Sequence, residues 1–314
     1  MSISRSQLGR SPAIVTYNGG TFFTNADIVT KHAAKWKSVL ASMYGEVDKA
    51  KYDLQITVPL KLWGAWENLS ILFPAYAITS ETGSSPIGSS IYGTGSDVPL
   101  VIQARNGDLF TYTNAAITKL PDLYLGVDED LFEANVEFTC IIGNGMNPET
   151  SGAYFTIGTN AYTDGAFAKT NYKRTRFTGA WGSITGWTTI TPQKGFHVGW
   201  ELGLSDVMVD GLGCVDKTTT NFRGAAKFIP IGPTLAQINA NSQLNTAHGT
   251  LLSAGSADLV MTGNGGSPVV TLKNAGMVEN GFAFGIEPLR VGEVSFETTR
   301  GFASGVPAAI ATVA

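Results

Sequence analysis

Side chains that could do chemistry are few and scattered in this chain of 314 residues. The three histidines, His32, His197 and His248, lie far apart, and none has a metal-ligand spacing such as HxxxH. No GxSxG, GxxxxGK[ST] or GxGxxG motif occurs, and "GTGSD" and "GNGMNP" match only the first half of a glycine fingerprint, so they predict turns. We therefore expect no catalytic residue, metal or cofactor, and an enzyme is the weakest of the function classes.

Carboxylates concentrate in one stretch, which contains Asp122, Asp128, Glu129, Asp130, Glu133 and Glu137. Two carboxylates at a fixed separation could act as the acid and base of a glycosidase, and so could Glu201 and Asp206. The sequence shows no cleft that would hold such a pair. We interpret the stretch as a solvated or inner surface.

Two aromatic-rich patterns could bind ligands. One is a basic cluster interleaved with Tyr172 and Phe177, which could contact nucleic acid by charge and stacking; its members are Lys169, Lys173, Arg174 and Arg176. The other is "GAWGSITGW", whose Trp181 and Trp187 could stack on sugar rings. A solvated or inter-subunit face is the commoner use of the first pattern, and core anchors are the commoner use of the second.

Overall charge and composition exclude several partners. The net charge is −4 with a pI of about 5.4, so no positive field attracts nucleic acid or an anionic membrane. Charged residues make up 15% of the chain, against roughly 25% in average soluble domains, and such a lightly charged surface often has a partner. Cys140 and Cys214 lack CxxC spacing and are interpreted as core residues rather than a disulfide.

The chain also lacks the sequence patterns of secretion and membrane insertion. No apolar run of signal-peptide length follows Arg5, and no stretch approaches the ~18 apolar residues of a spanning helix. We expect a protein made in the cytoplasm without a membrane anchor.

Glycine and proline punctuate the chain into many short segments, which favours strands. In "AIVTYNGGTFFT" the Asn-Gly pair predicts a hairpin. Residues 27–62 predict a second and much longer hairpin, linked by "SMYGEVDK", although a helix is the alternative for residues 27–41. Its second strand, "KYDLQITVPLKL", alternates so that one face is apolar, with Tyr52, Leu54, Ile56, Val58 and Leu60.

Only two helices are predicted. Trp63, Trp66, Leu69 and Phe73 have helical spacing before Pro74, and residues 234–244 have Thr234 as N-cap with Leu235, Ile238 and Leu244 as the apolar face. The Ser/Gly-rich residues 79–97 predict a flexible loop. No break in composition divides the chain, so we expect either one β-rich domain with large insertions or a core domain with a small β appendage at residues 143–186.

This order of elements resembles the major tail tube protein of long-tailed bacteriophages. The resemblance rests on the first hairpin, the long hairpin with a charged tip, the Trp-bearing "VPLKLWGAWENLSILFP", and the later "GFHVGWELGLSDVMVDGLGCVDKTTTNFRGAAKFIPIGPTLAQI". It implies a mainly β fold, a β-sandwich or half-open barrel with a long projecting β-hairpin and one or two short flanking helices. Residues 1–250 would form the core, with an insertion at about residues 143–186, and residues 251–314 would add strands.

The resemblance also implies a function. Subunits would form hexameric rings that stack into the tail tube of the virion, together with other tail proteins and inside the host cytoplasm, and DNA would pass through without specific binding. The long hairpin would reach the next ring, with Lys31, Lys35, Lys37, Glu46, Asp48, Lys49 and Lys51 on the inter-subunit face. The competing class is a β-sandwich binding or decorating module for carbohydrate or protein, for which the aromatics of residues 143–187 would be the reason.

A conduit for DNA should repel phosphate, so we predict that Asp122, Asp128, Glu129 and Asp130 line the lumen. Reversing two of these charges, with Asp128→Lys and Glu129→Lys, should slow DNA release while tubes still form. Release kinetics of assembled particles would measure this effect, and an unchanged rate would exclude the lumen assignment.

Overall fold

The structure is a computed structural model, and it describes most of the chain. The described residues are 13–24, 28–64, 66–73, 88, 90–92, 97–126, 132–149, 152–161, 176–241, 247–264, 266, 269–283, 290–299, 302–303, 306–307 and 311–313.

Strands dominate the described residues, and the strand pairs among them are antiparallel. The first half contains β1 (Ala13–Tyr17), β2 (Gly20–Thr24), β3 (Lys31–Ala41), β4 (Gly45–Gly64), β5 (Leu100–Ala104), β6 (Asp108–Tyr112), β7 (Asn114–Lys119), β8 (Leu123–Leu125), β9 (Phe132–Ile141) and β10 (Phe155–Thr159). The second half contains β11 (Phe177–Trp181), β12 (Thr191–Pro192), β13 (Phe196–Val209), β14 (Gly213–Phe228), β15 (Pro230–Ile231), β16 (Ala257–Gly263), β17 (Val269–Ala283), β18 (Arg290–Thr298), β19 (Phe302–Ala303), β20 (Val306–Pro307) and β21 (Ala311–Val313).

The first large sheet is strongly curled. Its strand order is β10-β6-β5-β1-β2-β4-β9-β7, with β3 paired to β4. Tyr17 of β1 nevertheless packs edge-on against Phe138 of β9 at 4.8 Å, and its hydroxyl donates to the carbonyl of Ala115 in β7 at 3.4 Å. Since three strands separate β1 from β7 in the pairing order, these contacts require the sheet to bend over its own apolar face.

The second large sheet covers the core from the other side. Its order is β11-β16-β17-β18-β14-β13-β8, with β21 paired to β17. Trp181 and Trp187 are fully buried on it and pack edge-on against Phe296 at 4.8 Å and 5.7 Å. The two sheets share one hydrophobic core, so the layout is that of a β-sandwich with one half-open, barrel-like side.

The predicted fold class is therefore confirmed: the protein is mainly β, sandwich-like, with a long projecting hairpin and short helices. The first hairpin turns at Asn18 and Gly19, whose φ angles of 44° and 79° are the left-handed pair that an Asn-Gly turn requires. No helix among the described residues has the length and apolarity needed to cross a bilayer.

The long hairpin is formed by β3 and β4, and its register explains one wrong prediction. Lys35 pairs with Asp53, but Trp36 pairs with Lys51, so Tyr52 is the extra residue of a β-bulge. Ile56, Val58 and Leu60 point into the core as predicted, whereas Tyr52 is 47% exposed. The alternation predicted for the whole strand fails at the bulge because one extra residue shifts the side-chain period.

The helices are shorter than predicted. The first is a 3-10 helix, Trp66–Leu72, and Trp63 lies instead in β4, paired with Glu133 of β9. The second is α1 (Leu235–Asn241), where the backbone N–H of Gln237 donates to Thr234 Oγ1 at 3.3 Å, the predicted N-cap bond. Ile238 is buried, and Leu244 lies outside the described residues. A further 3-10 turn, Leu252–Gly255, precedes β16.

Residues 143–186 and 251–314, which were predicted as an insertion and as additional strands, both contribute strands to the two main sheets. Within residues 143–186, β10 is an edge strand of the first sheet and β11 an edge strand of the second. Strands β16, β17 and β18 share the second sheet with β13 and β14. The described part of the Ser/Gly-rich segment is held on β14, since Ile91 is buried and its N–H donates to the carbonyl of Lys217 at 2.9 Å, so the predicted flexibility is wrong there.

Replacing the buried indole with Trp181→Ala should destabilise the fold by about 3–5 kcal/mol, because it removes a packed ring and its hydrogen bond to the carbonyl of Ala275 at 2.8 Å. Trp36→Ala is the matched control, since Trp36 is 56% exposed and its loss should change the unfolding free energy by no more than about 0.5 kcal/mol. Urea unfolding followed by circular dichroism measures both, and equal effects would contradict this core assignment.

Candidate assembly surface

The outer part of the β3–β4 hairpin, residues 31–52, is an exposed two-stranded ribbon. Every residue from 35 to 52 is exposed except Ala41, which is partly buried. The ribbon carries seven large exposed apolar side chains: Trp36, Val39, Leu40, Met43, Tyr44, Val47 and Tyr52. Met43 and Tyr44 at the turn are 87% and 81% exposed. Apolar side chains at this density on a ribbon outside the core are typical of an interaction surface.

The ribbon also offers backbone hydrogen-bonding groups. Among the described strands β3 pairs only with β4, so its outer edge is free, and β4 pairs with β9 only from Ile56 onward. A two-stranded ribbon is marginally stable alone in water, and an open strand edge is a template for pairing with another chain. The ribbon therefore has both the apolar surface and the free edges of an assembly element.

The residues predicted at the inter-subunit face all lie on the ribbon and are all exposed: Lys31, Lys35, Lys37, Glu46, Asp48, Lys49 and Lys51. Several have contacts within the ribbon or at its base. Glu46 accepts from Ser38 at 2.7 Å and pairs with Lys49 at 3.5 Å, while Lys51 Nζ lies 5.5 Å from the ring centre of Tyr154. Their structural position is compatible with an interface, and their role stays a prediction.

One buried carboxylate joins the ribbon to the rest of the molecule. Asp53 is 1% exposed; its Oδ1 accepts the backbone N–H of Cys214 at 2.9 Å, and its Oδ2 pairs with Lys35 Nζ at 3.0 Å. Cys214 begins the outer half of β14, so this carboxylate connects the two long hairpins, β3–β4 and β13–β14. The hydrogen bond with Asp53 raises the pKa of Lys35 above its ordinary value.

A charge network continues from this junction. The side-chain amide of Gln55 donates to Asp206 at 3.0 Å and accepts from Lys217 at 3.1 Å, and Lys217 also pairs directly with Asp206. Partial burial by itself would raise the pKa of Asp206, but the hydrogen bonds from Lys217 and Gln55 lower it below its usual value. At this junction the negative charges of Asp53 and Asp206 are thus balanced by the positive charges of Lys35 and Lys217.

Gly213 permits the close approach of the two hairpins. Its φ of +79° lies in the left-handed region, and a Cβ placed there would lie 2.6 Å from Asp53 Oδ1 and 2.9 Å from the carbonyl oxygen of Tyr52. Only glycine has both the conformational freedom and the missing side chain that this contact needs.

The outer end of the β13–β14 hairpin, residues 204–216, is here called the β13–β14 tip, and it is exposed from Ser205 to Leu212. It carries four large exposed apolar side chains: Val207, Met208, Val209 and Leu212. Beside it lies a groove of about 380 Å³, bordered by Val209, Leu212 and Val215 on one side and by Ile142 and Met146 on the other. Together the ribbon and the β13–β14 tip hold eleven of the seventeen large apolar side chains that are exposed among the described residues, so apolar exposure in this part of the chain is concentrated on two neighbouring hairpins.

The structure describes only some of the other residues that were predicted to form sites. Asp122 is exposed next to β8, whereas Asp128, Glu129 and Asp130 lie outside the described residues, as do Lys169, Lys173 and Arg174. Trp181 and Trp187 are fully buried, which confirms the interpretation as core anchors and removes them as a sugar-stacking platform. Both cysteines are free and buried, as interpreted; burial raises the pKa of Cys214 to about 11 and that of Cys140 further still.

Sequence reasoning missed the junction and the β13–β14 tip. Asp53, Gln55, Asp206 and Lys217 read as ordinary polar positions of alternating strands, and the contacts of Asp53 and Gln55 with the β13–β14 hairpin join residues 151 or more positions apart. A usable signal existed in "LSDVMVDGLGCVD", where aspartates alternate with large apolar residues around a glycine-rich turn. The described residues contain no group of three or more His, Cys, Asp or Glu side chains arranged to hold a metal.

Asp53→Ala should destabilise the subunit by about 2–3 kcal/mol, because the buried N–H of Cys214 loses its acceptor and Lys35 its partner. Asp53→Asn retains an acceptor oxygen and should cost less. Asp48→Ala, on the same strand but exposed, should change the unfolding free energy by no more than about 0.5 kcal/mol. Denaturant titrations compare the three, and an Asp53→Ala variant as stable as Asp48→Ala would contradict the junction's structural role.

No protein-family model matches the chain, and no curated protein is significantly similar to it. The resemblance to tail tube proteins therefore stays a prediction.

Proposed function

We propose that this protein is a structural subunit that self-assembles into stacked rings, as the tail tube subunit of a long-tailed bacteriophage. The observation that carries the proposal is the exposed ribbon of residues 31–52, with its seven large apolar side chains and its free strand edges. Such a ribbon is poorly suited to an isolated monomer, since its apolar surface is hydrated and its strand edges invite pairing.

The arrangement of the two apolar hairpins favours a ring or a stack over a simple dimer. A contact between two different surfaces of the same chain is heterologous, and repetition of a heterologous contact produces a closed ring or an open filament. The ribbon and the β13–β14 tip are two such surfaces, and the Asp53 junction holds them next to each other. The edge strands of the curled sheet could likewise pair with edge strands of a neighbouring subunit, so that the sheet continues from one subunit to the next.

The role as a conduit for DNA is supported by charge alone. The net charge of −4 favours a surface along which phosphates slide without binding, and Asp122 is exposed as a lumen residue would need to be. The competing proposal of a carbohydrate-binding module loses two of its aromatic residues, because Trp181 and Trp187 are buried in the core.

The direct experiment is negative-stain electron microscopy of the purified protein over a concentration series, with light scattering on the same samples. We expect rings or hollow tubes whose mass increases with concentration. A monodisperse monomer at every concentration, together with specific binding on a glycan array, would contradict the proposal and favour the binding module.

Deletion of residues 42–49 tests the ribbon without disturbing the core. Lys37 and Ala50 are already paired, so the deletion leaves residues 38–41 as a four-residue hairpin loop. We expect a folded monomer whose unfolding free energy stays within about 1 kcal/mol of the wild type and which forms no rings. Leu251→Ser is the matched control, since Leu251 is 72% exposed and lies away from both hairpins in sequence; its rings should be normal. Normal rings from the deletion variant would exclude the ribbon as the assembly element.

A further inference from the structure

The two exposed hairpin ends have opposite charge. The ribbon, residues 31–52, holds five lysines against two carboxylates, a net charge of +3 in a chain whose total is −4. The β13–β14 tip, residues 204–216, holds three aspartates and no lysine or arginine, a net charge of −3. Lys217 pairs with Asp206 and Asp53 pairs with Lys35, so the charge left unpaired is +2 on the ribbon (+3 − 1) and −2 on the tip (−3 + 1). Asp210 at its turn is exposed. Opposite charge on two surfaces that are both apolar is the complementarity expected of two faces of one interface.

The groove beside the β13–β14 tip and the end of the ribbon are both mainly apolar with a few polar groups. Its rim is apolar at Val209, Leu212, Val215, Ile142 and Met146, and Asn114 and Asp216 add polar groups within it. Met43 and Tyr44, at the end of the ribbon, are an unbranched thioether and an aromatic ring with a polar hydroxyl. Side chains of this kind fill irregular apolar grooves and place a polar end against polar groups.

The ribbon does not occupy its own groove. Met43 and Tyr44 remain 87% and 81% exposed although Asp53 and Cys214 bring the base of the ribbon into contact with the β13–β14 tip. From Asp53 outward the eight residues 45–52 carry the turn roughly 25 Å away at about 3.3 Å per residue. The cross-strand pairing continues to Ala41 and Gly45, so the ribbon stays extended up to its turn. The partner that fits is therefore a second copy of this chain.

We propose that the basic ribbon of one copy docks on the acidic β13–β14 tip of a second copy, with Met43 and Tyr44 seated in the groove bordered by Val209, Leu212 and Val215. This inference rests on the proposed self-assembly and names the acceptor surface for it. The contact is heterologous, so each subunit both donates a ribbon and receives one, and the contact repeats from copy to copy.

Two complementary variants test the proposal. A ribbon variant, Met43→Ser with Tyr44→Ser, keeps the acceptor; an acceptor variant, Val209→Ser, Asp210→Lys and Leu212→Ser, keeps the ribbon. Each variant alone should be a monomer by analytical ultracentrifugation, and an equimolar mixture should form a one-to-one heterodimer, because only one functional contact is available. Circular dichroism checks that both are folded, and Asp210→Lys alone replaces the triple variant if that variant is not.

Charge provides an independent readout on the same heterodimer. Adding Lys37→Glu and Lys49→Glu to the acceptor variant should raise the heterodimer Kd by about tenfold or more, since like charges then face each other. Rising ionic strength should weaken the unmodified heterodimer and should not weaken the charge-reversed one, because salt then screens a repulsion. Leu251→Ser in either partner is the control and should leave the Kd unchanged.

The possible results distinguish a failure of this inference from a failure of the proposed function. If the acceptor variant alone still forms wild-type rings, or if the mixture stays monomeric while the wild type assembles, the acceptor surface is wrong and self-assembly stands. If neither the mixture nor the wild type associates, a second copy is excluded as the occupant and the proposed function loses its support as well. A heterodimer found only in the mixture supports the proposal.

Discussion

A single buried carboxylate determines how the two long hairpins of this protein are placed. Asp53 is removed from water and is stabilised because the N–H of Cys214, the ammonium of Lys35 and the side-chain amide of Gln55 replace its hydration. Gly213 allows the backbones to approach closely enough for that bond. Since β4 runs on from Asp53 into the core at Ile56 and outward into the ribbon, the junction fixes the direction in which the ribbon leaves the molecule.

The core supports this junction from both sides. The curled first sheet buries the inner half of β4, and the second sheet carries β13 and β14 out beside it. Burial of Trp181, Trp187 and Phe296 anchors the second sheet, and much of the fold's stability comes from such apolar contacts. The exposed hairpin ends then extend from a packed base, with bulges at Tyr52 and Val47 that strengthen the twist of the ribbon.

Concentrated apolar exposure on two oppositely charged hairpins is a hazard for a protein that remains alone. Free strand edges and large apolar side chains promote indiscriminate association unless a specific partner covers them. A heterologous contact between ribbon and β13–β14 tip would cover both surfaces with one repeated interface, and charge would select the matched surface over like-charged alternatives. A single repeated interface of this kind would connect the geometry of one subunit with the proposed assembly of many.

The sequence by itself determined the fold class, the Asn18-Gly19 turn, the long hairpin and the N-cap at Thr234, because turn chemistry, strand alternation and capping depend on neighbouring residues. Tertiary structure alone decided that Tyr52 is exposed and Asp53 buried, since a bulge and a strand 161 positions away set their environments. It also placed Trp63 in a strand and exposed the β13–β14 tip. Contacts between residues distant in sequence cannot be read from local periodicity, which carries no information about which surface another strand covers.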